Sequence, residues 1–106
     1  MKNLFDLPQP LPQSELFETL CTFGGAKLER IISQGQITPP GEWYDQAQDE
    51  WVLLVQGQAH LRFENGKIQE LQTGDWLLIP AHHRHRVEYT SSQPVCIWLA
   101  LHFSAN

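Results

Sequence analysis

Two polar side chains sit where apolar ones belong in this 106-residue chain, and they are its chemically informative feature. Glu50 opens the run Trp51-Val-Leu-Leu-Val55 and shares the parity of Val52 and Leu54. Alternate residues of a strand face the same side, so the carboxylate goes with the apolar set. Burying it carries a desolvation cost that a cation, a donor or the rim of a cavity must offset; the other reading is an exposed strand start beside Asp49. His85 shares the parity of Val87 and Tyr89, opposite to Arg86 and Glu88, and on a strand it points inward. An interior imidazole is either neutral and satisfied by a carbonyl or carboxylate, or a metal ligand. Zinc, nickel, iron or manganese is the divalent ion expected if further nitrogens converge with Glu50, because mixed imidazole and carboxylate sites suit these metals.

The elements that must position this pair are short and β-like. Turn residues recur about every eight to ten positions from Lys27 onward: Gly35, Pro39-Pro40-Gly41, Gly57, Asn65-Gly66, Thr73-Gly74-Asp75, Pro80 and Ser91-Ser92-Gln93-Pro94. Gln58 to Phe63 alternates, with Leu61 and Phe63 on one face and His60, Arg62 and Glu64 on the other, and Asn65-Gly66 is a hairpin signal leading into Lys67 to Leu71. Many short strands without βαβ spacing predict an all-β sandwich or barrel. Before it, the prolines of residues 3–13 predict an extended arm. Ser14 is placed to cap a short helix bearing Leu16, Phe17, Leu20 and Cys21 on one face and ending at Gly24-Gly25. The expected division is therefore an arm and helix over 1–26 and a barrel over 27–106.

Trp51 to Val55, Trp76 to Ile79 and Val95 to Leu101 are apolar on both parities, so both faces of the sheet they form must be covered. A barrel this small covers only the inner face; the N-terminal arm, a second sheet or another subunit are the candidates for the outer one, and a homodimer is expected. Trp43, Trp51, Tyr44, Tyr89 and Trp98 are available either to wall a pocket for a small organic ligand or to pack core and interface. Arg30, among Leu28, Ile31 and Ile32, would hold a carboxylate if it turned inward.

Composition removes other classes. Twelve acidic against seven basic residues give a net charge of -5 with no basic run, which argues against nucleic acid as a partner. The longest apolar stretch, Val95 to Leu101, is far short of the roughly 18 residues of a membrane-spanning helix, so no membrane partner is expected. The start of the chain has no apolar leader pattern, and a cytoplasmic protein is expected. Cys21 and Cys96 both lie in apolar settings and read as two buried thiols. No nucleophile elbow, phosphate-cradling glycine loop, CxxC pair or His-Glu-x-x-His helix is present.

Glu50, six residues and then Gly57, with Gly41 upstream, followed by Gly74-Asp-Trp-Leu-Leu-Ile-Pro80-Ala-His82-His-Arg-His85, resembles the two motifs of the cupins over roughly residues 41 to 103. The resemblance implies a jelly-roll β-barrel. It also places a metal cage of three His and one Glu, of which this chain keeps Glu50 and His85. Tyr44 and Gln46 stand at the two motif-one histidines, His82 at a motif-two glycine and Tyr89 at its asparagine. Gln46 has a carbonyl oxygen and Tyr44 a phenol, both weaker ligands than imidazole. The implied metal set is Glu50, His85 and Gln46, with His82, His83 and His102 as replacements, and the implied ligand pocket is Tyr44, Gln46, Glu50, His85 and Tyr89. The expected function is binding of a divalent metal and a small polar metabolite in the barrel, with isomerase or oxygenase chemistry; the alternative is a metal-free binding or regulatory barrel.

Overall fold

The computed structural model describes residues 1–104; residues 105–106, assigned to the barrel by sequence, lie outside the described residues. Eight strands follow in chain order: β1 (Leu16–Phe23), β2 (Ala26–Ser33), β3 (Asp49–Gln56), β4 (Ala59–Phe63), β5 (Ile68–Leu71), β6 (Trp76–Ile79), β7 (His85–Thr90) and β8 (Cys96–Phe103). They form two antiparallel sheets, one ordered β1-β2-β8-β3-β6 and the other β5-β4-β7. The alternation read in β4 is realised, with Ala59, Leu61 and Phe63 buried and His60 and Arg62 partly exposed. Between the sheets lies a core of Val52, Leu54, Ala59, Leu61, Phe63, Leu71, Ile79, Cys96 and Trp98.

The helix expected after Ser14 is a strand instead. Leu16–Phe23 pairs antiparallel with β2, from Leu16 opposite Ile32 to Phe23 opposite Ala26. Gly24 and Gly25 have φ of 51° and 80°, so they form the tight turn of a hairpin in which both central residues are left-handed. The same pair of glycines suits a helix end, and only the partner strand decides between the two. A bulge between Thr19 and Cys21 breaks strict alternation, which hid the strand periodicity. Cys21 is exposed while Cys96 is buried, so the two thiols do not share the expected setting.

Gly57 occupies a position that no side chain fits. Its φ is +104°, and a Cβ there would lie 2.9 Å from both Cys96 Sγ and Ser91 Oγ and 3.0 Å from Cys96 Cα. Gly57→Ala is expected to lower stability by about 2–4 kcal/mol, combining backbone strain with overpacking. A urea midpoint that falls at unchanged slope is the expected reading, and an unmoved midpoint would show that the turn relaxes freely.

The large sheet presents a second apolar face outside the barrel. Directly opposed residues of an antiparallel pair share a face, which puts Leu101, Trp51 and Leu78 in one outward row and Leu99, Leu53 and Trp76 in the next. The N-terminal arm covers one end of it. Arg30 lies on this outer face, not inward, and donates Nη1 to the carbonyls of Leu4 and Asp6 at 2.8 Å each and Nε to Glu18 at 2.7 Å. At the β6 edge Trp76 and Leu78 stay 62% and 51% exposed. No helix among the described residues is long and apolar enough to cross a membrane.

Candidate functional site

The inner face of the large sheet gathers three ionisable groups because β2, β8 and β3 lie side by side. Glu50 is directly opposite His102 on β8, and Glu29 lies on β2 opposite Ala100, two residues from His102. His85 reaches the same space from β7 in the other sheet. Tyr44 arrives on the β2–β3 connection and is fixed by a two-bond bridge, Tyr44 N to His85 O at 2.7 Å and His85 N to Tyr44 O at 3.1 Å. Its ring stacks on the imidazole, with centroids 5.5 Å apart and an interplanar angle of 23°. Two residues on, the Gln46 carbonyl accepts from His82 N at 2.8 Å. These side chains enclose a cavity of about 70 Å³ with Glu15, Glu29, Val52, Leu61, Ile79 and Trp98 among its walls.

The electrostatics of this cavity are set by burial. Glu50 is 7% exposed, and the nitrogens facing it are His85 Nε2 at 3.8 Å and His102 Nε2 at 3.9 Å, both beyond hydrogen-bond reach. Desolvation raises the Glu50 carboxyl above its ordinary value and the charge on Glu29 adds to this, while His102 and Lys27 oppose it. His85 is pushed the other way by desolvation, towards the neutral imidazole. Its Nδ1 lies 3.0 Å from the His83 carbonyl. A carbonyl only accepts, so Nδ1 carries the proton and Nε2 turns a lone pair to Glu50. Burial raises the Tyr44 phenol, and the surrounding carboxylates of Glu15, Glu50, Glu29 and Glu42 raise it further, which keeps it an O–H donor. Glu15, whose carboxyl is also raised by burial, accepts a bond from Ser33 Oγ.

Of the residues expected here, Tyr44, Gln46, Glu50, His85 and His102 line the cavity. Tyr89 does not. The β4–β7 register pairs His60 with Tyr89 and Leu61 with Val87, so Glu88 is an extra residue in β7. That bulge reverses parity along the strand: His85 and Val87 face in, whereas Tyr89 is exposed beside His60, with ring centroids 5.0 Å apart. His82 and His83 also fall outside the cavity. His82 is exposed at φ 60°, the left-handed region that explains a glycine at this motif position, and its Nδ1 lies 2.8 Å from Asp45 Oδ1. His83 packs its ring on Phe63, 4.7 Å between centroids, and contributes its carbonyl to His85. Trp51 lies on the outer face against Trp76, and Trp43 packs under the Arg84 and Arg86 guanidinium groups.

Two cavity groups were missed in the sequence. Glu29 shares the parity of Ile31, a signal of the kind that marked Glu50, but β2 is apolar on both parities at Leu28, Ile31 and Ile32. It accepts from His102 Nε2 at 2.8 Å, a contact between residues 73 apart in the chain. Glu15 carried no signal, because its segment read as the first turn of a helix.

The donor set does not assemble the metal cage that the motif positions imply. Among the described residues no three His, Cys, Asp or Glu side chains converge as a metal requires. Glu50 and His85 supply two, and the nearest further imidazole, His102, is turned onto Glu29. Gln46 and Tyr44 stand where two more imidazoles would complete the set.

Two antiparallel sheets packed face to face around a largely apolar cavity that carries a few ionisable side chains define a jelly-roll type of β-barrel. The cupin domain family model matches residues 29–102, and this chain belongs to that family. A protein of Ralstonia eutropha named a "putative mannose-6-phosphate isomerase" is 46% identical, with 99% of this chain and 98% of that one covered and a TM-score of 0.91. A cupin superfamily protein of Desulfitobacterium hafniense shares the fold at 19% identity and a TM-score of 0.73, covering 98% of this chain and 100% of that one. A Neisseria meningitidis protein does so at 17% and 0.72, covering 98% and 99%. No curated protein matches the chain.

Proposed function

We propose that this cupin binds a small polar metabolite in the cavity between Glu50 and His85 without a resident transition metal. The observation that carries this reading is the two buried acceptors, the Glu50 carboxylate and His85 Nε2, facing each other at 3.8 Å with no third ligand converging on them. Elemental analysis of protein purified without an affinity tag or chelator is expected to show less than stoichiometric zinc, nickel, iron and manganese. Stoichiometric metal that disappears in His85→Ala would overturn the proposal in favour of a metal centre holding Glu50 and His85.

The name of the Ralstonia protein supports a second reading, an isomerase. Moving a proton beside a carbonyl needs a base and an acid, and Glu50 with its raised proton affinity and the Tyr44 phenol supply that pair. A phosphate is a poor fit to the inner cavity, because among the described residues no Lys or Arg lines it while Glu15, Glu29 and Glu50 do. Mannose 6-phosphate followed by NMR is expected to remain unconverted; turnover abolished by Glu50→Gln would establish the isomerase reading.

The protein acts as a homodimer in this proposal, the exposed face around Trp76 and Leu78 meeting its own copy about a two-fold axis. It is a cytoplasmic protein in the same reading. Light scattering at micromolar concentration is expected to give twice the 12.2 kDa chain mass, and Leu78→Glu is expected to give the single chain. A wild-type monomer would remove the dimer and leave the cavity untouched.

A further inference from the structure

The Glu50–His85 gap specifies more about its occupant than that it is small and polar. The His85 Nδ1 proton is committed to the His83 carbonyl, so Nε2 faces Glu50 Oε1 as one acceptor towards another. Two acceptors this close are satisfied together by one donor group placed beside both of them, in the cavity. Glu50 is more than nine-tenths buried and aimed into the cavity, and the imidazoles opposite it lie beyond hydrogen-bond reach.

Charge narrows the donor further. Three carboxylates, Glu15, Glu29 and Glu50, line the cavity. The neighbouring cationic candidates are His102, which gives its Nε2 to Glu29 at 2.8 Å, and Lys27 at the mouth, 3.6 Å from the same Glu29. Three carboxylates thus face two basic side chains, and both of these are engaged with Glu29. A hydroxyl satisfies the acceptors and leaves the charge; a carboxylate or phosphate adds repulsion. A protonated amine supplies three N–H donors and the missing charge together. The cavity itself, about 70 Å³, holds a headgroup and little more, but it shares Gln46, Glu29 and His102 with an outer recess of about 450 Å³ through which a chain can leave.

We infer that the ligand of this cavity carries a primary ammonium, bridging Glu50 and His85 from the cavity side, with its carbon chain running out past Gln46 and His102. The inference rests on the proposed small-ligand site and specifies its chemical class.

The test compares probes of equal chain length at pH 8: n-butylammonium, n-butanol and butyrate, together with inorganic phosphate and zinc or manganese alone, titrated into the full chain. Calorimetry gives affinity, and the NMR resonances of His85 and Trp98 report occupancy. Butylammonium is expected to bind about tenfold or more tightly than butanol, with butyrate and phosphate not bound. Glu50→Gln, which keeps the side-chain shape, is expected to erase that preference, and Glu70→Gln on the exposed β5 is expected to retain it. Equal binding of butanol and butylammonium with both resonances shifted would overturn the amine and leave the small-ligand site standing. A preference that survives Glu50→Gln, or tighter Glu50-dependent binding of zinc or manganese, would overturn it as well. Silence of both resonances towards every probe would overturn the amine and the site together.

Discussion

Arg86→Met lowers stability by about 3–5 kcal/mol, because three backbone carbonyls lose the charged donor that satisfies them and each such hydrogen bond is worth about 1.5–3 kcal/mol. Arg86 is 9% exposed on β7. Its guanidinium donates to Thr38 O at 2.7 Å, Pro39 O at 3.2 Å and Glu42 O at 3.3 Å, and its Nε donates to Glu88 at 3.1 Å. One side chain thereby fastens the whole β2–β3 connection to the small sheet. For a domain whose total stability is about 5–15 kcal/mol, the loss is about a fifth or more. The melting temperature is expected to fall by more than about 10 °C. Lys in its place is expected to recover little, because a point charge cannot span three carbonyls held by a planar fork. The consequence reaches the cavity, since the same connection carries Tyr44 onto His85. In the folded fraction of Arg86→Met, the ring-current shift that Tyr44 imposes on the His85 resonances is expected to diminish. Thermal stability close to wild type would show that the Thr38 and Tyr44 backbone bonds hold the connection unaided.

Why Arg86 escaped notice while Glu50 and His85 did not is a matter of range. Parity within one strand identifies a polar residue facing the wrong way, and it marked both groups of the pair. It says nothing about a residue whose partners are carbonyls 44 to 48 positions away. The resemblance to cupins supplied the architecture through Gly57, Gly74, Pro80 and His85, and the family match over residues 29–102 supports it. It did not supply the bulge at Glu88, one inserted residue that turns Tyr89 from the cavity to solvent, because a bulge is a property of two strands' register. The β1 strand was lost for a related reason. Its hairpin glycines and its neighbour β2 are local in sequence, but a helix cap and a two-residue turn use the same residues, and the choice is made by pairing energy along β2. The inward direction of His102 likewise follows from its register with Glu50, since the apolar run before it has no polar side to orient by.

Glu50→Gln stabilises the ligand-free protein at pH 8, by about 1–3 kcal/mol, because burial penalises the charged carboxylate and not the neutral amide. The pH dependence identifies the cause. Burial raises the folded-state carboxyl above its unfolded value of 4.5, so the folded protein binds more protons than the unfolded chain between 4.5 and that raised value. Stability from this group is therefore fully present below pH 4.5 and is lost as pH rises through the folded-state value, after which the penalty is constant. The wild type and Glu50→Gln should then be nearly equal in stability at pH 4 and diverge as pH rises. His85 works in the opposite direction. Its imidazole is lowered from 6.5, so its contribution is present above 6.5 and lost as pH falls through the lowered value; because it faces Glu50 at 3.8 Å, the comparison is made in the wild-type and the His85→Gln backgrounds, where the second removes this contribution from the difference. Urea unfolding of the pair from pH 4 to 8 measures this directly. A variant less stable than wild type at pH 8 would mean that the carboxylate is already paired in the fold. A variant that is more stable alone, and loses that advantage when the wild type is saturated with butylammonium, would show a carboxylate whose burial stability does not explain, its cost being met only when a cation binds.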